Sequence, residues 1–291
     1  MLLNTYAPWK FAFSKEINDL EKSENNSWGL IGVPFDSTSS YHTSSRFGPT
    51  TIREASFGFE KFNSTFNKEL DTTFYDFGDL NTISGNCKKT CEILEETILE
   101  LNPYEIKPLI IGGEHSISYG VVKGLLNKYD DLTIIHLDAH MDLKDNYIGE
   151  KYSHATVLRR IHELAIKEII QIGIRSFSKE ENDYANLNEN IHSYLASNFK
   201  NSKDNILNKI ANIENPIYLT IDMDVFDPSF CPDVSNPTPS GLYLEDVEAI
   251  FNELLGKNIV GFDIVEVASK KLGNITSIAA SKIIFDFLTI F

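Results

Sequence analysis

Four strand-length apolar runs in this sequence end directly in acidic and histidine residues, and this arrangement limits the possible folds more than any other feature. The runs and the residues that follow them are 109–111 before Glu114 and His115, 134–137 before Asp138, His140 and Asp142, 218–221 before Asp222 and Asp224, and 261–265 before Glu266. The carboxyl ends of parallel strands share one edge of a sheet, where ligands bind in α/β folds. We therefore expect these polar side chains to meet at one site.

Apolar runs alternate with segments of helical periodicity along the chain, as in βαβ units around a mostly parallel sheet. The predicted strands are 28–33, 72–77, 108–111, 132–137, 168–174, 217–221 and 258–265. The predicted helices are 87–101, 116–129, 154–165, 179–187, 203–213, 244–255 and 275–288. Strands such as 217–221 are apolar on both faces, which is typical of strands covered by helices on each side. The sequence therefore predicts an α/β fold, a three-layer αβα sandwich with the site at the carboxyl ends of the strands.

The 291 residues contain no recognisable linker, so a single domain spanning 1–291 is predicted. The segment 227–241 carries four prolines and follows a strand, and we interpret it as a loop that shapes the site rather than as a linker. The terminal segment 277–291 is too short to span a bilayer and is interrupted by Lys282 and Asp286, which predicts a final amphipathic helix packed on the body.

Cysteine usage indicates a reducing compartment. The three cysteines, Cys87, Cys91 and Cys231, are an odd number and do not suggest a disulfide framework. Cys87 and Cys91 lie four residues apart in a predicted helix, and buried or half-buried packing is favoured over half a metal site. The first 13 residues lack the basic start and apolar run of a signal peptide, so a cytoplasmic location is expected.

The charge balance narrows the possible partners. The chain has 42 acidic against 26 basic residues and a formal net charge of −16. Binding to nucleic acid or an anionic membrane surface would require a basic patch, and none is apparent. A small cationic substrate or a metal ion suits this balance better.

The spacing of the acids and histidines favours metal binding. Asp138, His140 and Asp142 alternate along an extended segment, so their side chains point to one side, as do those of Asp222 and Asp224. A single Asp-x-Asp could equally be a solvated loop or a helix cap. Clustered carboxylates, however, repel one another unless cations neutralise them. His136, two residues before Asp138, is predicted to pack in the sheet.

The candidate ligands indicate which metal binds. They are His115, Asp138, His140, Asp142, Asp222 and Asp224. Carboxylate oxygens with some imidazole and no thiolate suit Mn²⁺, with Mg²⁺, Fe²⁺ or Co²⁺ as possible occupants. Six ligands are too many for one ion that keeps a position open for substrate, so two bridged ions, which would lower the pKa of a shared water, are predicted.

Four ordered motifs resemble the ureohydrolases, the arginase and agmatinase family. They are GGEHS at 112–116, DAHMD at 138–142, TIDMDVFDP at 220–228 and DIVEV at 263–267. Phe47-Gly48-Pro49 with Ile52-Arg53, the turn at 78–80 and IGIRS at 172–176 are also similar to the framework of that family. The resemblance covers residues 28–280, nearly the whole chain.

This resemblance implies an arginase-like fold, a trimer or hexamer, and two Mn²⁺ ions per chain that support hydrolysis of a guanidino group to urea and an amine. One ion would take His115, Asp138, Asp142 and Asp222, and the other His140, Asp138, Asp222 and Asp224, so that Asp138 and Asp222 bridge. It further implies that Asp142 orients the nucleophile, that Glu266 pairs with the guanidinium, and that His154 is a proton shuttle or substrate contact.

The choice of guanidino substrate rests on fewer residues. Tyr152-Ser153-His154 resembles bacterial and archaeal agmatinases, which predicts agmatine, a dication that suits an acidic protein. Arginase, guanidinobutyrase and formiminoglutamase activities remain alternatives, as does a non-catalytic metal-binding relative. The chain departs from the family in two loops, with PDVSNP at 232–237 in place of Pro-Gly-Thr-Gly-Thr-Pro, and with Ser269 and Leu272 in place of a proline and an aspartate.

Overall fold

The fold is built on one large sheet. The computed structural model describes residues 5–6, 9–16 and 20–291, so part of the 1–13 segment discussed above lies outside the described residues. The strands are β1 (Thr5–Tyr6), β2 (Trp28–Val33), β3 (Phe62–Asn63), β4 (Lys68–Glu69), β5 (Phe74–Leu80), β6 (Lys107–Gly112), β7 (Thr133–Leu137), β8 (Glu168–Ile174), β9 (Ile191–Leu195), β10 (Ile217–Asp222) and β11 (Ile259–Val265). Strands β3 and β4 form a separate antiparallel pair.

Within residues 5–6, 9–16 and 20–291, the main sheet has nine strands in the order β1-β5-β2-β6-β11-β10-β7-β8-β9. Strand β1 is antiparallel to β5, and the other eight strands are parallel. The four strands that carry the polar ends, β6, β11, β10 and β7, are consecutive neighbours. Their order places all the predicted ligands along one short stretch of the sheet edge.

Eight α-helices in the described part of the chain cover the sheet. They are α1 (Gly48–Ser56), α2 (Cys87–Leu101), α3 (Ser118–Leu125), α4 (Val157–His162), α5 (Lys179–Leu187), α6 (Phe199–Ala211), α7 (Leu244–Leu254) and α8 (Ile275–Ile290). Buried residues of α1, α6, α7 and α8 pack on one face of the sheet, and those of α2 to α5 on the other. In β6, Leu109 and Ile111 face the first layer and Ile110 the second, as the two-residue period of a strand requires. The predicted three-layer sandwich is confirmed.

Helix α1 and the strands β1, β3, β4 and β9 were not predicted from the sequence, and one predicted helix was described incorrectly. Helix α1 begins with Gly48 and Pro49, residues that suggest a turn, but proline is well accommodated in the first turn of a helix. Strand β9 is a half-exposed edge strand with little apolar signal. The final helix α8 is buried around most of its surface rather than amphipathic. Its Asp286 is buried because it pairs with Lys282 and accepts a hydrogen bond from Asn63 at 2.6 Å.

The prediction that Cys87 and Cys91 pack as buried helix residues is confirmed, because both are buried on α2. Cys231 is buried in the loop after β10, and all three cysteines are free thiols. Within the described ranges, the structure has no helix that is long and apolar enough to cross a bilayer.

Candidate metal centre

The first cluster surrounds His115, which begins a short 3₁₀ turn after β6. Its Nδ1 lies 3.1 Å from Asp138, 3.3 Å from Asp142 and 3.3 Å from Asp222, measured to carboxylate oxygens. All four residues are buried. The structure thus brings together the four residues that the resemblance assigns to one ion.

The second cluster surrounds His140. Its Nδ1 lies 3.0 Å from an oxygen of Asp224 and 3.4 Å from Oδ1 of Asp138. Asp138 therefore faces both imidazoles, with Oδ2 toward His115 and Oδ1 toward His140. Asp222 presents Oδ2 to His115, while its Oδ1 accepts the backbone N–H of Asp224 at 2.8 Å. The six candidate ligands form one continuous group around Asp138.

The donor atoms fit divalent cations. Nδ1 of His115 is buried and has no hydrogen-bond partner among the described residues, although three carboxylates surround it. Nε2 of the same ring lies 2.9 Å from the Thr220 hydroxyl, and a neutral ring that donates there presents a lone pair at Nδ1. A lone pair facing three carboxylates is repulsive unless a proton or a metal cation lies among them. Imidazole nitrogen with carboxylate oxygens is a ligand set that Mn²⁺ accepts.

The electrostatics of the cluster lead to the same conclusion. Burial opposes charge on His115, but Asp138, Asp142 and Asp222 raise its pKa well above the ordinary value. Burial and the charge of Asp138 raise the pKa of Asp142 to about 7. Burial with the charges of Asp224 and Asp138 likewise raises the pKa of Asp222. Without a metal the cluster retains protons, and a bound cation would replace them.

A histidine behind the cluster was not anticipated as part of the site. His136 is buried and its Nε2 lies 2.8 Å from Oδ2 of Asp138. Gln171 donates to Nδ1 of His136 at 3.1 Å, and its amide orientation is fixed by bonds to the Met141 carbonyl and the Ser193 hydroxyl. Nδ1 is therefore an acceptor, so Nε2 carries the proton that is donated to Asp138. The alternation of residues 136, 138 and 140 was the sequence signal, since all three point to one side.

Replacing His136 with phenylalanine is expected to lower metal affinity roughly ten- to hundredfold, because hydrogen bonds to a ligand hold it in its binding orientation. Competition with a chromophoric chelator would measure the change. The matched control is His192→Phe. His192 lies on the edge strand β9, two strands beyond β7, and its side chain pairs with Glu168 rather than with a candidate metal ligand. Equal affinity of the two variants would show that His136 serves only in packing.

Glu266 follows β11 and has an unusual backbone. Its φ of 66° is in the left-handed region, which is costly for a residue with a long side chain and is often found at functional sites. Oε1 accepts the backbone N–H of His115 at 2.7 Å, whereas Oε2 is buried and receives no hydrogen bond from any described residue. Burial raises the pKa of Glu266 to about 8, although the hydroxyl of the neighbouring Ser235 and the His115 backbone N–H oppose the shift. A cationic donor in the adjoining cavity would satisfy Oε2 and stabilise the charged form.

The clusters and Glu266 open into a cavity of about 640 Å³. Besides Asp142, Asp222 and Asp224, the cavity is lined by the 235–238 segment, which includes Ser235 and Asn236 of the loop that departs from the family. The prediction that the 227–241 segment shapes the site agrees with this placement. Arg175, which follows β8, holds the loop by donating to the carbonyls of Thr238 and Pro239, and it also bonds the Asp224 carbonyl at 2.6 Å.

Asp227 holds the two ends of this loop together. Oδ1 accepts from the backbone and hydroxyl of Ser229, and Oδ2 accepts from the backbone N–H groups of Ser240 and Gly241. These hydrogen bonds, with that of the Ser229 hydroxyl the largest contribution, lower the pKa of Asp227 from 3.8 to about 2.

We expect Asp227→Asn to reduce the free energy of unfolding at neutral pH by about 1 kcal/mol, the usual contribution of such hydrogen bonds. Because the folded-state pKa is depressed, the charged carboxylate stabilises the fold above about 3.8, and this stabilisation is lost as the pH falls toward about 2. Urea unfolding at several pH values would measure both effects, with the exposed Asp130→Asn as control. A difference between wild type and Asp227→Asn that does not shrink with falling pH would contradict this role.

His154 lies at the cavity wall, half-buried, at the start of a 3₁₀ turn before α4. Its ring is in edge contact with Tyr147, with ring centroids 5.3 Å apart. Burial, together with the neighbouring His140 and His115, lowers its pKa to about 4. The imidazole is therefore neutral at physiological pH.

Comparisons with known proteins extend over nearly the whole chain. Residues 26–289 match the model of the arginase family. The N(1)-aminopropylagmatine ureohydrolase of Thermococcus kodakarensis is 39% identical over 288 residues, which cover 97% of this chain and 95% of that protein. The agmatinase of Bacillus cereus is 37% identical over 266 residues, 89% of this chain and 90% of the relative. The solved structure of agmatine ureohydrolase of Thermoplasma volcanium has a TM-score of 0.85 and 32% identity, covering 98% of this chain and 94% of that one.

Proposed function

Because the chain belongs to the arginase family, we propose that it is a manganese-dependent agmatinase that hydrolyses agmatine to putrescine and urea. Family membership makes the chain a ureohydrolase, an enzyme that acts on guanidino compounds. The agmatinases among its relatives support agmatine as the substrate.

The observation that carries the proposal is the unpartnered Oε2 of Glu266. A buried carboxylate oxygen to which no described residue donates is costly, and Glu266 lines the same cavity as Asp142, Asp222 and Asp224 of the metal clusters. A guanidinium group would satisfy it with a charge-assisted hydrogen bond. The same contact would place the planar carbon of the guanidinium next to the cluster.

We assign the metal ligands as the resemblance implies. His115, Asp138, Asp142 and Asp222 would hold one Mn²⁺, and His140, Asp138, Asp222 and Asp224 the other. The bound pair would lower the pKa of a water molecule and so supply a nucleophile at neutral pH. The side chains supply the remaining functions: Glu266 orients the guanidinium, Asp142 orients the attacking water, and His154 moves a proton to the leaving amine.

The cavity wall favours a substrate without a carboxylate tail. Among the described residues that line it, Lys144 is the one lysine or arginine. Its Nζ lies 2.8 Å from Glu181, which also accepts the backbone N–H groups of Ser178 and Leu143. A carboxylate such as that of arginine or guanidinobutyrate would have to compete with Glu181 for Lys144. Agmatine has no carboxylate and avoids this competition.

N(1)-aminopropylagmatine is a second candidate substrate. The cavity volume of about 640 Å³ lies within the range of roughly 300–1,000 Å³ that accommodates drug-sized ligands, and agmatine is far smaller. A relative that is 39% identical bears the name of an N(1)-aminopropylagmatine ureohydrolase. An aminopropyl extension would occupy cavity space that agmatine leaves to water.

The test is product release by purified protein loaded with Mn²⁺, with metal content measured on the same sample. The panel is agmatine, N(1)-aminopropylagmatine, arginine and guanidinobutyrate, assayed for urea, and formiminoglutamate, assayed for formamide. If kcat/KM is highest with agmatine, the proposal is supported. If it is highest with another compound, that compound is the substrate and agmatine is not. Retained manganese without turnover of any compound would instead indicate a non-catalytic metal-binding relative.

The family resemblance also leads us to infer a homo-oligomer, a trimer or a hexamer, in the cytoplasm. The three free, buried thiols suit a reducing compartment. Light scattering of the purified protein would give the number of subunits.

A further inference from the structure

The hydrogen-bond geometry points to Thr38 and Glu114 as positioning residues that hold His154 in one tautomer, with the proton on Nδ1 and the lone pair of Nε2 toward the cavity. Neither Thr38 nor Glu114 is among the residues assigned to metal or substrate above. The inference deepens the proposed function, because it rests on His154 as the group that moves a proton there. The tautomer itself is a property of the protein alone.

Glu114 lies between β6 and His115 and is completely buried. Four donors point to its carboxylate. Oε1 accepts the hydroxyls of Thr38 at 2.5 Å and Ser116 at 2.6 Å, and Oε2 accepts the backbone N–H groups of Thr38 at 2.7 Å and Ser39 at 3.2 Å. The loop after β2 is therefore held on this carboxylate through both the main chain and the side chain of Thr38.

The Thr38 hydroxyl has a single proton, and the bond to Glu114 uses it. Its oxygen can then only accept. Two nitrogens of His154 lie within reach: the backbone N–H at 3.1 Å, which must donate, and the ring Nδ1 at 3.0 Å. An acceptor facing an acceptor would be repulsive, so Nδ1 carries the ring proton in this arrangement. The two lone pairs of the hydroxyl oxygen are then both used.

The other ring nitrogen is left for chemistry. In the described part of the chain, no residue hydrogen-bonds Nε2 of His154, and the ring lines the cavity. The edge contact with Tyr147 restricts rotation of the ring. Nε2 can therefore accept the proton that the attacking water releases as its oxygen bonds to the guanidinium carbon. The same proton then passes from Nε2 to the leaving nitrogen as the carbon–nitrogen bond breaks.

The Thr38 hydroxyl has one proton, which it donates to Glu114, so it can only accept from Nδ1 of His154. A water molecule in the same place could donate or accept and would not select one tautomer. If Nε2 carried the proton at the start, the lone pair of the ring would lie on Nδ1, which faces the Thr38 hydroxyl, and His154 could not accept a proton from the cavity. The Thr38 contact thus selects the form that is ready to accept. Loss of the hydroxyl would allow both tautomers.

The primary test is nitrogen-15 NMR of histidine-labelled protein loaded with Mg²⁺, since Mn²⁺ would broaden the signals. The His154 resonances are assigned by their loss in His154→Gln. We expect wild type and Thr38→Ser to show the Nδ1-protonated form and Thr38→Val to show a mixture. An Nε2-protonated His154 in wild type, or a Thr38→Val spectrum identical to that of wild type, would overturn the inference.

Kinetics supply the second readout. We expect Thr38→Val to lower kcat by about tenfold or more with KM and manganese content nearly unchanged, because general acid–base transfer contributes roughly 10²–10⁴-fold while the backbone N–H at position 38 still holds the loop on Glu114. Thr38→Ser should restore most of the rate. Thr82→Val, on the loop after β5 where the hydroxyl contacts the Pro34 carbonyl, is the matched control and should behave as wild type.

The two proposals fail in different ways. If wild type turns over no guanidino compound, the proposed function is wrong, and the NMR spectrum still decides the tautomer. If wild type is active and Thr38→Val equals Thr38→Ser in rate, Thr38 does not position His154 for proton transfer.

Discussion

Replacement of Asp138 by alanine is expected to release at least one metal ion per chain and to lower kcat by roughly 10²–10⁴-fold, the equivalent of several kcal/mol of transition-state stabilisation. Asp138 is the residue whose two oxygens face both histidines, 3.1 Å from His115 and 3.4 Å from His140. Its removal leaves each imidazole without the carboxylate that the two clusters share. The other assigned bridge, Asp222, should give the same result when it is replaced by alanine.

Metal content by inductively coupled plasma mass spectrometry, after dialysis against metal-free buffer, measures this effect directly. The matched control is Asp145→Ala, three residues beyond Asp142, where a largely exposed carboxylate pairs with Arg160. It should retain both ions. If Asp138→Ala and Asp222→Ala each keep two ions per chain, the bridging assignment is wrong.

The metal cluster could be anticipated from the sequence because its signal is local. Each ligand lies within a few residues of a strand end, and alternation along an extended segment shows which side chains share a side. The order β6-β11-β10-β7 then brings four such ends together. A parallel sheet places these ends at one edge, but the order of the strands along that edge has no local sequence signal. The same alternation includes His136, which was predicted to pack in the sheet.

The contacts that orient the site could not be anticipated in the same way. Thr38 and Glu114 are 76 residues apart, and the loop that carries Thr38 has no apolar period to indicate its path. The left-handed backbone at Glu266 has no sequence signal either, because glycine, the residue that usually marks this conformation, is absent there. Such features depend on how distant segments pack.

Glu266→Gln is the second change with a large expected effect, and we expect it to lower kcat/KM for agmatine by roughly 10²–10³-fold. The substitution keeps the size of the side chain. The amide oxygen can still accept the His115 backbone N–H that Oε1 now accepts at 2.7 Å, so the fold and the metal content should be preserved. What is lost is the negative charge at Oε2, the oxygen that has no partner within the described chain. In its place an amide N–H would face the N–H groups of the guanidinium.

Steady-state kinetics with agmatine, together with metal content and the unfolding midpoint of the same sample, would separate loss of substrate binding from loss of the site. The matched control is Glu180→Gln, an exposed residue on α5 next to the cavity-lining Glu181, which should leave kcat/KM nearly unchanged. Glu266→Gln with intact metal and a kcat/KM close to that of wild type would mean that the guanidinium binds elsewhere in the cavity. A large loss with intact metal would locate the cation beside the buried oxygen of Glu266, because no other property of the site is changed.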